Sequence, residues 1–133
     1  DAFLKVRFDE TFHLGYEDTL FGMQLEQAGV EILHIDNPVY HLVEENSEQF
    51  LMKIRRAVRN LDGHIEQMHS HVKLLRWYAC VKRLGMAPLV AFLFRQIEKR
   101  LVSNLTSRKP SLKLFAFYKL GYLCNFLSQK KPD

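Results

Sequence analysis

Only one short stretch of this chain of 133 residues has the pattern of a buried β-strand, and this constrains the fold more than any other feature. Residues 30–35, with the sequence VEILHI, are rich in β-branched and large apolar side chains, and the turn signal Asp36-Asn37-Pro38 follows them. A second extended piece is predicted at residues 39–42. Because a single strand cannot form a sheet, we expect its partners to lie elsewhere and the chain to be a piece of a larger α/β unit.

Helical spacing of apolar residues dominates the rest of the chain. Ser47 and Ser111 are candidate N-cap residues, and Gly29 and Gly85 are candidates for ending helices. After residue 46 the pattern is helical to the end of the chain, without an internal repeat. The predicted helices cover about residues 16–28, 47–61, 65–81, 88–102 and 111–123.

The charge is divided unevenly along the chain. Residues 1–50 carry a net charge of −9 and residues 51–133 carry +13. Apolar residues make up 47% of the chain, which argues against disorder, and no uncharged run approaches the 18 or so residues of a membrane span. Two cysteines do not make a disulfide framework, and nothing resembles a secretory signal, so a cytoplasmic location is expected.

A succession of short motifs in the acidic part is more specific than the composition. It consists of FDETF at residues 8–12, GYEDT at 15–19, AG at 28–29 and HIDNPVYH at 34–41. This order and spacing resemble the acceptor-side half of family 2 glycosyltransferases, of the kind found in bacterial polysaccharide assembly. The resemblance covers residues 1–61 well, and the tail from Ser111 to Tyr122 is similar to the helical extension of the same group.

The resemblance implies an inverting transfer of a sugar from a nucleotide-sugar donor to a saccharide or polyprenol-linked acceptor. It implies that Asp18 is the general base and that Glu17 contacts the acceptor sugar. A carboxylate can take the proton of an acceptor hydroxyl as the new C–O bond forms. Tyr16, Phe12 and Phe21 are candidates for flat faces against the sugar ring. From the residues alone, Glu17 and Asp18 are better explained as acids that stabilise a helix N-terminus.

The resemblance also implies a divalent metal, Mn²⁺ or Mg²⁺, that holds the donor diphosphate, with His41 as its candidate ligand. An imidazole suits Mn²⁺ better than Mg²⁺. A histidine bonded to backbone beside the sheet is the other reading of His41. His34 is expected to be structural, on the predicted strand. Three further histidines lack the spacing of zinc ligands and are expected on helix surfaces; they are His64, His69 and His71.

Three departures from the family pattern bear on activity. Val6-Arg7 precede the first motif where the family has a glycine, and Gln24 stands where an arginine is common. No Asp-x-Asp, the usual metal and donor anchor, occurs in the 133 residues. We therefore expect a mainly α chain with one or two short strands, the C-terminal fragment of an α/β GT-A-like domain, inactive alone. Residues 1–46 would be the acceptor-side end of the catalytic domain, and residues 47–133 a basic helical extension.

The basic helices leave other functions open. With their phenylalanines they could lie peripherally at the inner membrane face, or pack a helical bundle or a subunit contact. The alternative to a transferase is thus a non-catalytic basic helical module that binds a membrane surface or a partner protein. Nucleic-acid binding is a third reading from charge, but no nucleic-acid-binding motif accompanies it and no nucleic-acid partner is expected. Homo-oligomerisation stays open.

Overall fold

The computed structural model describes residues 6–7, 9, 15–40, 42 and 45–130. Within these residues, all regular secondary structure is helical. Six helices follow one another along the chain: α1 Glu17–Gln27, α2 Ser47–Asn60, α3 Ile65–Met68, α4 Lys73–Arg83, α5 Ala87–Leu105 and α6 Leu112–Gln129. The prediction of a mainly α chain is confirmed.

The predicted strand at residues 30–35 is wrong, and with it the assignment of the chain to a fragment of an α/β GT-A domain. The backbone there is irregular, and Ile32, Leu33 and Ile35 are exposed rather than buried. The second predicted piece is equally unpaired, with Val39 and Tyr40 almost fully exposed. Local side-chain preference favours a strand, but a strand also needs a neighbour to complete its hydrogen bonds. The part of the chain that the structure describes contains no strand.

The centre of the fold is the antiparallel pair α5 and α6, which make the most extensive helix–helix contact among the described elements. Phe94 of α5 and Tyr118 of α6 are fully buried, and their rings meet edge to face with centroids 5.6 Å apart. Gly121 allows this approach, because a Cβ added there would lie 2.6 Å from the Phe94 ring. Helices α2 and α4 both pack on α6.

Helix α1 belongs to the same hydrophobic core as the later helices. Its buried residues, Leu20 and Met23, are part of one cluster with Leu51 and Val58 of α2 and with residues of α4 to α6. Because Leu20 and Met23 are three positions apart, they lie on one side of α1. The opposite side, which carries Asp18, faces solvent.

One predicted helix is divided in two. The continuous helix expected over residues 65–81 is interrupted between α3 and α4, where Val72 has extended backbone angles (φ −95°, ψ 109°). The Nδ1 atom of His69 donates to the Glu66 carbonyl oxygen at 2.8 Å, closing the end of α3. Met68 and Val72 are both buried. The apolar residues therefore keep helical spacing across the break, although the backbone there is not helical.

The start of α2 gives a first testable prediction. Its N-cap is Asn46, not the predicted Ser47: the Asn46 side chain accepts from Gln49 N (2.9 Å), and Gln49 Oε1 accepts from Asn46 N (3.0 Å). We expect Asn46→Ala to lower the free energy of unfolding by about 1 kcal/mol because this reciprocal cap is lost. Ser47→Ala is the matched control and should change it by less than about 0.5 kcal/mol. Urea unfolding of both variants measures the difference; equal losses would contradict the cap assignment.

Other helix ends confirm the sequence predictions. Gly29 and Gly85 have positive φ values of 66° and 69° directly after α1 and α4. Pro88 lies in the first turn of α5, where its missing N–H costs nothing. The Ser111 hydroxyl accepts from Leu114 N at 3.4 Å at the start of α6.

Candidate functional site

The candidate site is built on the turn that leads into α1. Gly15 and Tyr16 both have left-handed backbone angles, with φ 73° and 70°. Gly15 packs directly on α2, because a Cβ added to it would lie 2.5 Å from the Ala57 Cβ. Only glycine fits both the angle and the space. The turn is therefore fixed to α2, and it fixes where α1 begins.

Tyr16 is an unusual residue for this backbone conformation. A bulky side chain at positive φ costs of the order of 1 kcal/mol or more, and such residues cluster at functional sites. The side chain is half-buried against the core, and burial raises the pKa of its hydroxyl. Its carbonyl oxygen accepts the first helical hydrogen bond of α1, from Leu20 N at 2.9 Å. Core packing thus holds the strained turn in place.

Asp18 lies on the exposed side of the first turn of α1. Its Oδ1 atom accepts from Thr19 N at 2.7 Å and from the Thr19 hydroxyl at 3.3 Å. Among the described residues, the other carboxylate oxygen, Oδ2, makes no hydrogen bond or ion pair. One oxygen is oriented by its neighbour and the second is open to solvent, which is an arrangement that can accept a proton from a bound hydroxyl.

Glu17 is half-buried beside Asp18. Its Oε2 atom is buried and has no hydrogen-bond partner in the described part of the chain. A buried carboxylate oxygen without a partner costs free energy that a bound donor would recover. A ligand hydroxyl can reach this oxygen only if the Glu17 side chain turns outward.

A shallow hollow lies along α1 between the buried side and the side that carries Asp18. It is lined by Thr19, Gly22, Met23, Glu26, Val30, Ile32 and His71. Gly22 follows Asp18 by four positions, which places it one turn along the same side of the helix, and a Cβ added to it would meet nothing within 4 Å. His71 Nε2 lies 3.3 Å from Glu26 Oε2 at the far side of the hollow. Asp18 is not among the residues that line this hollow, but its neighbour Thr19 is.

The structure thus brings together three of the predicted site residues, Tyr16, Glu17 and Asp18, at one turn. Phe21 lies one helical turn beyond Glu17 and is half-buried. Phe12 and His41 lie outside the described residues. The predicted structural role of His34 on a strand is wrong, because this residue is exposed on irregular backbone.

The described residues do not fit a metal site. No group of three or more histidine, cysteine or acidic side chains is close enough in this part of the chain to hold an ion. The expectation that three histidines lie on helix surfaces is wrong: His64 and His69 flank α3, and His71 lies in the turn that follows. His69 bonds the Glu66 backbone and His71 pairs with Glu26. A metal for the donor diphosphate stays a prediction that involves His41.

A cluster of arginine and aromatic side chains between α2 and α6 was not anticipated from the sequence. Arg55 Nε donates to the Tyr118 hydroxyl at 2.5 Å, and its Nη2 atom donates to Glu98 Oε1 at 2.8 Å. The Arg55 guanidinium also lies over the Tyr122 ring, 5.6 Å from its centroid, and Arg59 lies 5.7 Å from the same centroid. Burial raises the pKa of Tyr118, although the hydrogen bond from Arg55 acts in the opposite direction.

Arg55 ties three helices together in this cluster, because it pairs with Tyr118 of α6 and with Glu98 of α5. The Tyr122 hydroxyl is buried and has no hydrogen-bond partner among the described residues. The sequence holds a signal for the cluster: two arginines four positions apart on α2, and three aromatic residues at the same spacing on α6, Tyr118, Tyr122 and Phe126. Such spacing places each set in one row along its helix. The row of arginines meets the row of aromatic residues only because α2 packs on α6, and no local sequence pattern predicts that packing.

The two cysteines give a second testable prediction. Cys80 is exposed and Cys124 is buried, and burial raises the pKa of the Cys124 thiol from its ordinary value of 9.0 to about 11. We expect a thiol reagent at pH 8 to label one thiol per folded chain, and Cys80→Ser to abolish that labelling. Labelling of two thiols in the native protein would contradict this.

The same shift has a consequence for stability. Between pH 9 and pH 11 the unfolded chain releases the Cys124 proton while the folded chain keeps it. The unfolded state then binds fewer protons, so the free energy of unfolding falls as pH rises through this window. Cys124→Ala should remove that part of the alkaline loss when unfolding is followed at several pH values.

Comparisons with known proteins do not identify the chain. No protein-family model matches it, no curated protein sequence matches it, and no solved structure matches it.

Proposed function

We propose that this chain is the acceptor-side part of an inverting glycosyltransferase, which moves a sugar from a nucleotide-sugar donor to a saccharide or lipid-linked saccharide, with Asp18 as general base. The observation that carries this function is the Asp18 carboxylate, which is exposed at the start of α1 and oriented by Thr19. The motif succession of residues 8–41 supports the same function. Neither observation depends on an α/β fold.

Sugar transfer requires a base that takes the proton from the attacking hydroxyl of the acceptor sugar. The hydroxyl oxygen of the acceptor attacks the anomeric carbon of the donor sugar, and its proton passes to Asp18. The bond between that carbon and the diphosphate oxygen breaks, and a nucleoside diphosphate leaves. Attack from the face opposite the leaving group inverts the anomeric configuration. A base of this kind contributes about 10²–10⁴-fold to the rate.

The neighbours of Asp18 have separate tasks in this proposal. The Glu17 carboxylate, turned toward the ligand, accepts a hydrogen bond from a second hydroxyl of the acceptor sugar, which orients the ring. The aromatic side chains of Tyr16 and Phe21 offer apolar faces to the sugar. Gly22 keeps the surface beside Asp18 open, because any larger residue would project into it. The fixed turn at Gly15 holds these groups in position.

Donor binding is assigned to residues outside the described part of the chain. A divalent metal that would neutralise the leaving diphosphate belongs to the proposal, with His41 as its candidate ligand. Residues that bind the nucleotide-sugar donor, with an Asp-x-Asp for the metal, would complete the enzyme.

The test uses the polypeptide that carries this chain together with its donor-binding residues. A panel of nucleotide sugars is offered with saccharide and polyprenol-linked acceptors, and release of nucleoside diphosphate is measured. We expect release that depends on the acceptor, and a product whose anomeric configuration is opposite to that of the donor by NMR. Absence of acceptor-dependent release across the panel, or retention of configuration, would refute the proposed function.

A further inference from the structure

The corner between α4 and α5 projects apolar side chains into solvent. Leu84, directly after α4, is 62% exposed, and four more apolar residues that are about half-exposed follow within ten positions: Met86, Leu89, Phe92 and Leu93. We call these five residues the corner patch. Leu89, Phe92 and Leu93 have the spacing of one helix side. The axes of α4 and α5 differ by 115°, so the patch lies at a sharp bend of the chain.

Positive charge surrounds the corner patch without compensation. Between Glu66 and Glu98 the sequence contains no acidic residue and five basic ones, which are Lys73, Arg76, Lys82, Arg83 and Arg95. All five are exposed, and no described carboxylate forms an ion pair with any of them. Lys82 and Arg83 directly precede Leu84. The corner therefore combines exposed apolar area with a local positive potential.

Among the described residues, no single helix has the length and apolar character of a membrane span, whereas α4 and α5 taken together reach them as a bent pair.

We propose that the corner patch docks on an anionic lipid bilayer. The apolar side chains of the patch enter the boundary between headgroups and acyl chains, and Lys82 and Arg83 lie against the lipid phosphates. A bilayer fits better than a protein partner for two reasons. Exposed apolar side chains at a bend can enter a deformable interface without a matching cavity, and the uncompensated basic residues match a negatively charged surface. This docking is independent of the role proposed for Asp18.

Vesicle sedimentation tests the proposal with the chain of 133 residues. We expect binding to phosphatidylcholine vesicles that contain phosphatidylglycerol, little binding to phosphatidylcholine alone, and weaker binding at 500 mM than at 100 mM salt. Lys82→Gln with Arg83→Gln should weaken partitioning about thirtyfold, because each basic residue near the surface raises the affinity for the membrane about fivefold. Leu84→Ser with Phe92→Ser should weaken it at least about tenfold.

Matched variants separate the corner from the rest of the surface. Arg108→Gln with Lys109→Gln removes the same charge from the exposed loop after α5, and Met52→Ser with Leu112→Ser removes exposed apolar area from other helices. We expect both controls to keep most of the wild-type binding, and all variants to keep the wild-type circular dichroism spectrum. Equal losses in the corner and control variants, or equal binding to neutral vesicles, would overturn the proposal.

Dimerisation through the corner patch would give a different experimental result. If another copy of the chain covers the corner patch, analytical ultracentrifugation will show a dimer that Leu84→Ser with Phe92→Ser dissociates, and anionic vesicles will not bind. That result would also overturn docking on lipid.

Discussion

Asp18→Asn is expected to lower the turnover number of sugar transfer by about 10²–10⁴-fold. The amide keeps the size of the side chain, and its oxygen can still accept the bond from Thr19 N that orients Asp18. What the amide lacks is the ability to take a proton. The loss should therefore appear in kcat and in kcat/KM alike, with the KM for the acceptor and for the nucleotide sugar close to the wild-type values. Steady-state rates of nucleoside diphosphate release measure this.

Two companion variants show whether the loss is specific to Asp18. Asp62→Asn makes the same chemical change at the end of α2, where Asp62 pairs with Lys130 at the surface, and it should leave turnover within a small factor of wild type. Glu17→Gln should raise the KM for the acceptor more than it lowers kcat, because Glu17 is assigned a contact with the acceptor. Unchanged turnover in Asp18→Asn would remove Asp18 as the base.

Gly121→Ala is expected to lower the free energy of unfolding by about 1–3 kcal/mol, as overpacked core substitutions do. The added Cβ would lie 2.6–2.9 Å from three atoms of Phe94. Phe94 cannot retreat easily, since it is fully buried and in ring contact with Tyr118 and Tyr122. Helices α5 and α6 would have to separate, which weakens the largest contact in the fold. Urea or thermal unfolding measures the change.

Gly22→Ala is the matched control, because Gly22 is also a helix-interior glycine but has no neighbour within 4 Å of the added Cβ. It should raise stability by about 0.5–1 kcal/mol through its effect on helix propensity. Combining Gly121→Ala with Phe94→Leu should cost less than the sum of the two single changes, since the smaller side chain makes room. Wild-type stability in Gly121→Ala alone would show that the close approach of α5 and α6 is not required.

The helices of this fold could be predicted from the sequence because their determinants are local. Apolar spacing located α2, α5 and α6, and Gly29, Gly85 and Ser111 marked helix ends through their own backbone or side-chain chemistry. The predicted strand at residues 30–35 failed because a strand depends on a partner that a sequence window does not contain. The break between α3 and α4 was missed because Met68 and Val72 keep helical spacing across it.

The candidate site could also be predicted only in part. The order of the motifs was enough to select Tyr16, Glu17 and Asp18, and adjacency in sequence brought them to one turn. The left-handed backbone of Tyr16 and the contact of Gly15 with Ala57 could not be predicted, because they depend on how α2 packs against the turn. The pairing of Arg55 with Tyr118 joins residues 63 positions apart, and only the packed fold brings such residues together.

The exposed run at residues 30–40 has a consequence for handling the protein. Consecutive apolar, β-favouring residues with open backbone groups can pair between molecules, which makes this run a potential nucleus of aggregation in concentrated solution. Three residues act as gatekeepers against it. Glu31 and Asp36 place like charges at both ends of the apolar core of the run, and Pro38 lacks the N–H that a growing intermolecular sheet would need.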